Sequence, residues 1–465
     1  MMREQGKNGD MTTYNILAFG ATGDGLTDDA AAIQRAIDAC TAGGGGTVVA
    51  PAGRTYLFNP IALKAHVELH VERGATLLAG GDLAAYPPDL RSDAITEGAL
   101  SETELPRRAS IIAYRADNVA ITGGGVIDGH GRAFVEEDLG YIYRMRGVRQ
   151  YLERPFTVFL IGCTNVTMRD VTVRDAAFWT VRLTGCEDVL IQGIRIDNDL
   201  KLPNNDGIDV DCSRNVRISD CHIVTGDDSI CLKTCRAAVA FGPCENVTVT
   251  GCTLVSTSAA LKIGNECVAP IRNVVFDACV IRSSHRGLSI HLGEEGDVEN
   301  VIFANMIVET RLFHTDWWGR GEPIFIAAVP WTADRKLGRV RHVRVTNVLA
   351  RSENGVCIYA WEPGQIEDVL LADVRVELDK WSSWPGGRLD IRPCPGEGLV
   401  EQPTAGFFVK NARDVTLRNC EVAWGQRRPD YFRHALEAHG AANLATENVK
   451  GAAAHPGRDA AIVVD

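Results

Sequence analysis

Two carboxylate clusters lie 21 residues apart: Asp206, within Asn204-Asn205-Asp206-Gly207-Ile208-Asp209-Val210, and Asp227-Asp228, within Thr225-Gly226-Asp227-Asp228-Ser229-Ile230-Cys231-Leu232-Lys233-Thr234. Each cluster leads into a short apolar alternation. Crowded carboxylates repel one another, which drives their pKa values apart and makes an acid and a base of identical side chains. Suppose the chain coils with a period slightly longer than that separation. Asp206 then falls on one rung and Asp227-Asp228 on the next, with neighbouring strands about 4.8 Å apart. Three acids distant in sequence would share one solvent-open patch. That is a hydrolase-like arrangement.

The elements that must position these acids repeat. From Val48 onward, short apolar alternations recur with turn residues between them and almost no helical periodicity. Several begin with an Asn-Val or Asp-Val pair: Asn118, Asn165, Asp188, Asn215, Asn246, Asn273, Asn300, Asp368 and Asp414 each precede Val. From 165 to 300 the starts differ by 23, 27, 31, 27 and 27 residues. A period in the twenties built from strand-like units marks a solenoid. Without intervening helices, the pattern predicts an all-β fold, a right-handed single-stranded parallel β-helix in which each corner Asn or Asp stacks on its equivalent one coil away. A propeller would need longer blades and antiparallel hairpins.

Residues 15 to 26 read as a strand running into a glycine-rich turn, and Thr27 or Asp28 as the cap of a short N-terminal α-helix over 28–41. This helix is expected to cover the open edge of the first coil. Gly43 to Gly46 end it, and because no GK[ST] follows, a phosphate-binding loop is set aside. Residues 1–14 are expected to be disordered or an extension, and 15–465 a single β-helix domain. Stretches 80–110, 130–156 and 380–404 interrupt the period and are expected as loops shaping a cleft. The tail from Ala435 reads as a last irregular coil.

Composition narrows the function classes. A formal net charge of −12 argues against nucleic acid as a partner. No apolar run reaches the length of a membrane helix. The polar start, Met1 to Thr13, lacks a signal-peptide core, which leads us to expect a cytoplasmic protein. The 14 cysteines show no zinc spacing and are read as small buried hydrophobes, notably Cys163, Cys221, Cys231, Cys252 and Cys279. The pattern gives no oligomeric state.

Against this background the chain resembles glycoside hydrolase family 28, the polygalacturonases and related pectin hydrolases, over roughly residues 15 to 310. The similarity opens with Phe19-Gly20-Ala21, Gly23-Asp24-Gly25, Thr27-Asp28-Asp29, Ala32-Ile33-Gln34 and Pro51-Ala52-Gly53. It continues through Gly125-Val126-Ile127-Asp128-Gly129-His130-Gly131. Its specific part is Asn205-Asp206-Gly207 followed by Gly226-Asp227-Asp228, similar to the family's Asn-Thr-Asp-Gly and Gly-Asp-Asp motifs. The resemblance implies that Asp227 is the general acid. It also implies that Asp206 and Asp228 hold and deprotonate the attacking water, with inversion. No cofactor is implied.

Two motifs depart. Ser258-Ala259-Ala260 stands where the family has Gly-His-Gly, just before Leu261-Lys262-Ile263-Gly264, and Ser289-Ile290-His291 stands where it has Arg-Ile-Lys. Lys262, Arg286 and His291 could rebuild a cationic subsite for a sugar carboxylate; otherwise the substrate is a neutral sugar. Asn205 is read as orienting Asp206 or lining the cleft, and Lys233 as a site residue beside the acids. Trp317 and Trp318, tandem in a glycine-rich loop, are read as a platform for sugar rings. Asp209 and Asp211 are read as structural, and Glu266, Glu294 and Glu295 as solvated loop acids. Carboxylate clusters also bind calcium, but the coil spacing and motif favour acid/base work with no metal. The expected activity is exo-acting hydrolysis of pectin-related oligosaccharides. The rivals are a polysaccharide lyase or epimerase on the same scaffold, and a sugar-binding β-helix without turnover.

Overall fold

The computed structural model describes residues 12–86, 108–145 and 154–465. The chain divides into two compact units, one ending at Gly226 and including Arg236–Gly242, the other comprising Asp227–Cys235 and Pro243–Asp465. Each is a stretch of right-handed parallel β-helix.

In the first unit, strands Asp117–Thr122, Thr164–Arg169, Glu187–Gln192 and Arg214–Ser219 pair in parallel, with Val119, Val166, Val189 and Val216 in one register column. All four valines are buried. The Asn or Asp before each valine has positive φ, from 50° to 57° across Asn118, Asn165, Asp188 and Asn215. Asn and Asp tolerate this left-handed conformation better than other side-chain-bearing residues. The repeat is therefore a corner followed by a core residue. The corner amides stack as the periodicity predicts: Asn165 donates to Asn118 at 2.5 Å and Asn215 to Asp188 at 3.1 Å. A second ladder runs through Val126–Asp128, Thr172–Arg174 and Arg195–Asp197. A third runs through Ala109–Tyr114, Phe156–Ile161, Val181–Thr184 and Ile208–Asp211.

The second unit continues the pattern. Asn273 donates to Asn246 and Asn300 to Asn273, both at 3.1 Å. Here the long strands Val298–Thr310, Val340–Ser352 and Ile366–Leu378 replace two short ones each, bending at Asn305, Asn347 and Asp373, which also have positive φ. A further ladder runs Ile230–Thr234, Ala259–Cys267, Arg286–Leu292, Ile324–Ala328 and Val356–Ala360. It extends through Phe407–Lys410 and Leu436–His439 to Ile462–Val464. The tail is thus regular coil, not the irregular one expected. Thirteen of the fourteen cysteines are buried, as their apolar surroundings in the sequence predict.

The N-terminal edge differs from the sequence reading in detail. Thr13–Asn15 is a strand and Ile16–Phe19 a 3-10 turn, so the expected continuous strand breaks at Asn15, whose side chain accepts from the Leu17 amide at 2.9 Å. The helix is Ala30–Ala42 with Asp29 at its N-cap. Asp29 turns its carboxylate back onto the glycine turn, accepting from the amides of Thr22 at 2.6 Å and Gly23 at 2.9 Å. Ile33, Ala36, Ile37 and Cys40 form the buried face of the helix. Gln34 donates to the Ala62 carbonyl at 3.1 Å and accepts from its amide at 2.8 Å. That amide pair satisfies backbone groups that would otherwise lie open on the edge strand Ile61–Leu63.

The expected loop 80–110 lies largely outside the described residues, as does 146–153. The described part of the second loop holds an antiparallel pair, Val135–Asp138 with Tyr143–Met145. Stretch 380–404 contains another, Arg388–Asp390 with Leu399–Glu401.

Candidate active site

In the first unit Asp206 lies in the turn leading into strand Ile208–Asp211 and is 2% exposed. The turn is held by Asn205, fully buried. Its side-chain amide donates to the Asp199 carbonyl at 2.8 Å, and its oxygen accepts from the Gly226 amide at 2.6 Å. Asn198 donates to the Asn205 carbonyl at 2.9 Å, and the Asp206 carbonyl accepts from the Thr180 amide at 2.8 Å. Asn205 therefore fixes backbone on both sides of the motif. Asp211 pairs with Arg182 at 2.7 Å in the interior, a structural role as expected, and Asp209 is buried beside it in sequence.

In the second unit Asp227 and Asp228 precede strand Ile230–Thr234. The pair is more enclosed than a solvent-open pocket: Asp227 keeps 6% exposure and Asp228 2%. The next coil supplies the surroundings of Asp228. Its Oδ1 accepts from the Ser258 hydroxyl at 2.9 Å and the Ala259 amide at 3.1 Å, and its Oδ2 meets the Lys262 ammonium at 2.8 Å. Asp227 Oδ1 accepts the Asp228 amide at 3.1 Å, and the Asp227 carbonyl accepts the Ser256 hydroxyl at 2.7 Å.

These contacts separate two identical side chains electrostatically. Burial, and then the charge of Asp228, push the Asp227 carboxyl up to about 6, against the opposing pull of Lys262 and Lys233. Burial acts on Asp228 in the same sense, but the charges of Lys262 and Lys233, with hydrogen bonds from Lys262 and Ser258, bring it below its ordinary value. One acid retains its proton in the weakly acidic range while its neighbour is ionised.

Lys233 stands 3.8 Å from Glu266. The register slips between Leu232 and Thr234, which pair with Ile263 and Cys267, and the extra residues carry Glu266 opposite Lys233. Glu266 is 7% exposed and Glu294 6%, so both expected solvated acids are buried strand or loop residues. Only Glu295 is exposed, as expected.

The remaining cationic residues are engaged within the protein. Arg286, 6% exposed, donates to Glu322 at 3.2 Å and the Asp390 carbonyl at 2.5 Å, with its guanidinium 3.7 Å over the Phe325 ring. His291, 1% exposed, contacts the Asn265 side chain at 2.8 Å, and burial holds it neutral. The same interior holds His285, which the sequence reading passed over; burial, with Arg320 and Arg286 nearby, lowers it to about 3. Ser258 was missed too, although the coil period places it one rung beyond the acid pair.

Trp317 is half-buried and Trp318 is 38% exposed, their centroids 6.3 Å apart. Their loop is anchored from below. Asp390 accepts the Gly319 amide at 3.0 Å, Arg392 donates to the carbonyls of Asp316 at 3.1 Å and Trp317 at 3.3 Å, and its guanidinium lies 5.0 Å over Trp318. The exposed ring is consequently presented on a rigid base.

The model of glycosyl hydrolases family 28 matches residues 49–311, and that of rhamnogalacturonase A/epimerase, pectate lyase-like, matches 13–70. A probable polygalacturonase of Vitis vinifera is 29% identical over 307 residues, 64% of this chain and 60% of that protein. The chain thus spans about three-fifths of that relative's length. A polygalacturonase of Gossypium hirsutum is 26% identical over 417 residues, 84% of this chain and 91% of that one. Among solved structures, a family 28 exopolygalacturonase of Yersinia enterocolitica superposes with TM-score 0.68 at 20% identity, covering 93% of this chain and 78% of that chain. A hyperthermoactive exopolygalacturonase of Thermotoga maritima gives 0.63 at 24% identity, covering 88% and 91%. Both share the parallel β-helix fold.

Proposed function

The chain belongs to glycosyl hydrolase family 28, and on that premise we propose that it hydrolyses glycosidic bonds in pectin-related oligosaccharides, galacturonan or rhamnogalacturonan in type. The observation that carries the proposal is the pair of adjacent buried aspartates, of which Asp228 receives the Lys262 ammonium, the Ser258 hydroxyl and the Ala259 amide. Asp227 gives its proton to the glycosidic oxygen as that oxygen takes the electron pair of the breaking bond to the anomeric carbon. A water attacks the same carbon and passes a proton to Asp228. Exchange with solvent then restores the starting state. Asp206 is assigned to orienting that water on the strength of its motif. A single displacement inverts the anomeric configuration.

Trp317 and Trp318 are assigned to stacking on sugar C–H faces, because an exposed indole on an anchored loop loses little freedom when a ring packs on it. Exo-action is part of the proposal, with stretch 380–404 as the element closing one end of the groove. The test is a screen of pectic and neutral oligosaccharides with the parent protein beside Asp227→Asn, in the presence and absence of EDTA. New reducing ends of inverted configuration by NMR, insensitive to EDTA and lost in Asp227→Asn, are expected. An EDTA-sensitive product absorbing near 230 nm overturns hydrolysis in favour of elimination.

A further inference from the structure

Ser258-Ala259-Ala260 leaves the site without the histidine of the family motif, yet two side chains new to that coil converge on one catalytic carboxylate. The Lys262 ammonium meets Asp228 Oδ2 at 2.8 Å while Ser258 and the Ala259 amide bind Oδ1 at 2.9 and 3.1 Å. Strand register explains the convergence. Ile230 pairs with Leu261 and Cys231 with Lys262, so the residues before one strand face Ser258 and Ala259 at the start of the next, while Lys262 reaches Asp228 from within its strand. The Lys262 side chain is 16% exposed and that of Asp228 3%, so water screens the pair weakly.

We propose that Lys262, with Ser258, is a positioning residue that fixes Asp228 as the ionised member of the aspartate pair and thereby leaves the shared proton on Asp227. The inference rests on the hydrolytic reading above and adds to it which residue assigns the acid and the base. Within this unit the charged groups acting on Asp228 include Lys262, Lys233 and its neighbour Asp227; Lys233 is itself opposed by Glu266 at 3.8 Å. Lys262 also faces the Cys231 thiol, which donates to the Gly264 carbonyl at 3.1 Å. Removing the Lys262 charge withdraws the nearest cation from both acids. An opposite charge at such range moves a carboxyl by about 1–3 pH units.

The test compares kcat/KM against pH for the parent, Lys262→Gln, Lys262→Arg and Ser258→Ala, on an acidic and a neutral oligosaccharide. Lys262→Gln is expected to move the acidic limb upward by about 1–3 pH units, and Lys262→Arg to restore it. Ser258→Ala should move that limb in the same direction by less. A Lys262→Gln profile lowered at every pH with unmoved limbs overturns the proposal. So does a rise in KM confined to the acidic substrate, which would make Lys262 a grip on the sugar's carboxylate. If Lys262→Gln fails to fold, Ser258→Ala decides: an acidic limb moved upward supports the proposal and an unmoved one overturns it. A parent protein that hydrolyses nothing in the screen refutes the underlying reading instead, so the two failures are distinguishable.

Discussion

Replacing Asp227 by Asn should cut turnover sharply and, above weakly acidic pH, stabilise the fold. The carboxyl of Asp227 rises from 3.8 to about 6 on folding, through burial and the charge of Asp228. The folded chain therefore holds this proton more tightly than the unfolded chain does. Below about pH 4 the group is protonated in both states and brings no penalty. As pH rises through 4 to 6 the unfolded chain releases its proton first, and stability falls; above about 6 the loss is complete and constant. At about 1.4 kcal/mol per pH unit, two units amount to about 3 kcal/mol at most. Asn imitates the protonated acid in shape, and its Oδ1 can still accept the Asp228 amide. Urea titrations at about pH 4.5 and pH 7.5 should show the variant's advantage growing with pH toward that figure. Turnover should fall by about 10²–10⁴-fold, the range for a lost general acid. An advantage that does not grow between the two pH values would refute the claim that the fold holds the Asp227 proton more tightly than the unfolded chain does.

Asp228→Asn leaves the Lys262 ammonium buried without its counter-ion, and should destabilise the protein by about 3–5 kcal/mol as well as remove turnover, measured by urea midpoint and reducing-end assay. Asn273→Ala breaks the corner ladder on both sides and forces a left-handed Ala, at a cost of about 1–3 kcal/mol; Asn273→Gly should recover part of it, because only the backbone term is relieved. Trp318→Ala should raise KM for longer oligosaccharides while shifting the urea midpoint by no more than about 0.5 kcal/mol in stability, as expected for a half-exposed side chain.

How much could be read before the structure was known follows from how local each cause is. The corner residues announced the coil, because left-handed geometry at Asn165 or Asn273 is a demand on single residues and the valine that follows reports the core at once. The Asp227-Asp228 pair was visible as a motif. The resemblance implied that Asp227 is the acid, but the physical cause of that assignment was not readable. That depends on Ser258 and Lys262 arriving from the next coil, an approach set by strand register across about thirty residues of chain. The partners of the cations were hidden for the same reason. Arg286 and His291 looked available for a sugar carboxylate, but Glu322, the Asp390 carbonyl and Asn265 reach them from stretches distant in sequence. Glu266 faces Lys233 only because the register slips after Leu232. Periodicity and residue type are properties of the chain itself and fixed the kind of fold. The charge state of each acid is a sum over neighbours, and those neighbours exist only once the coils have stacked.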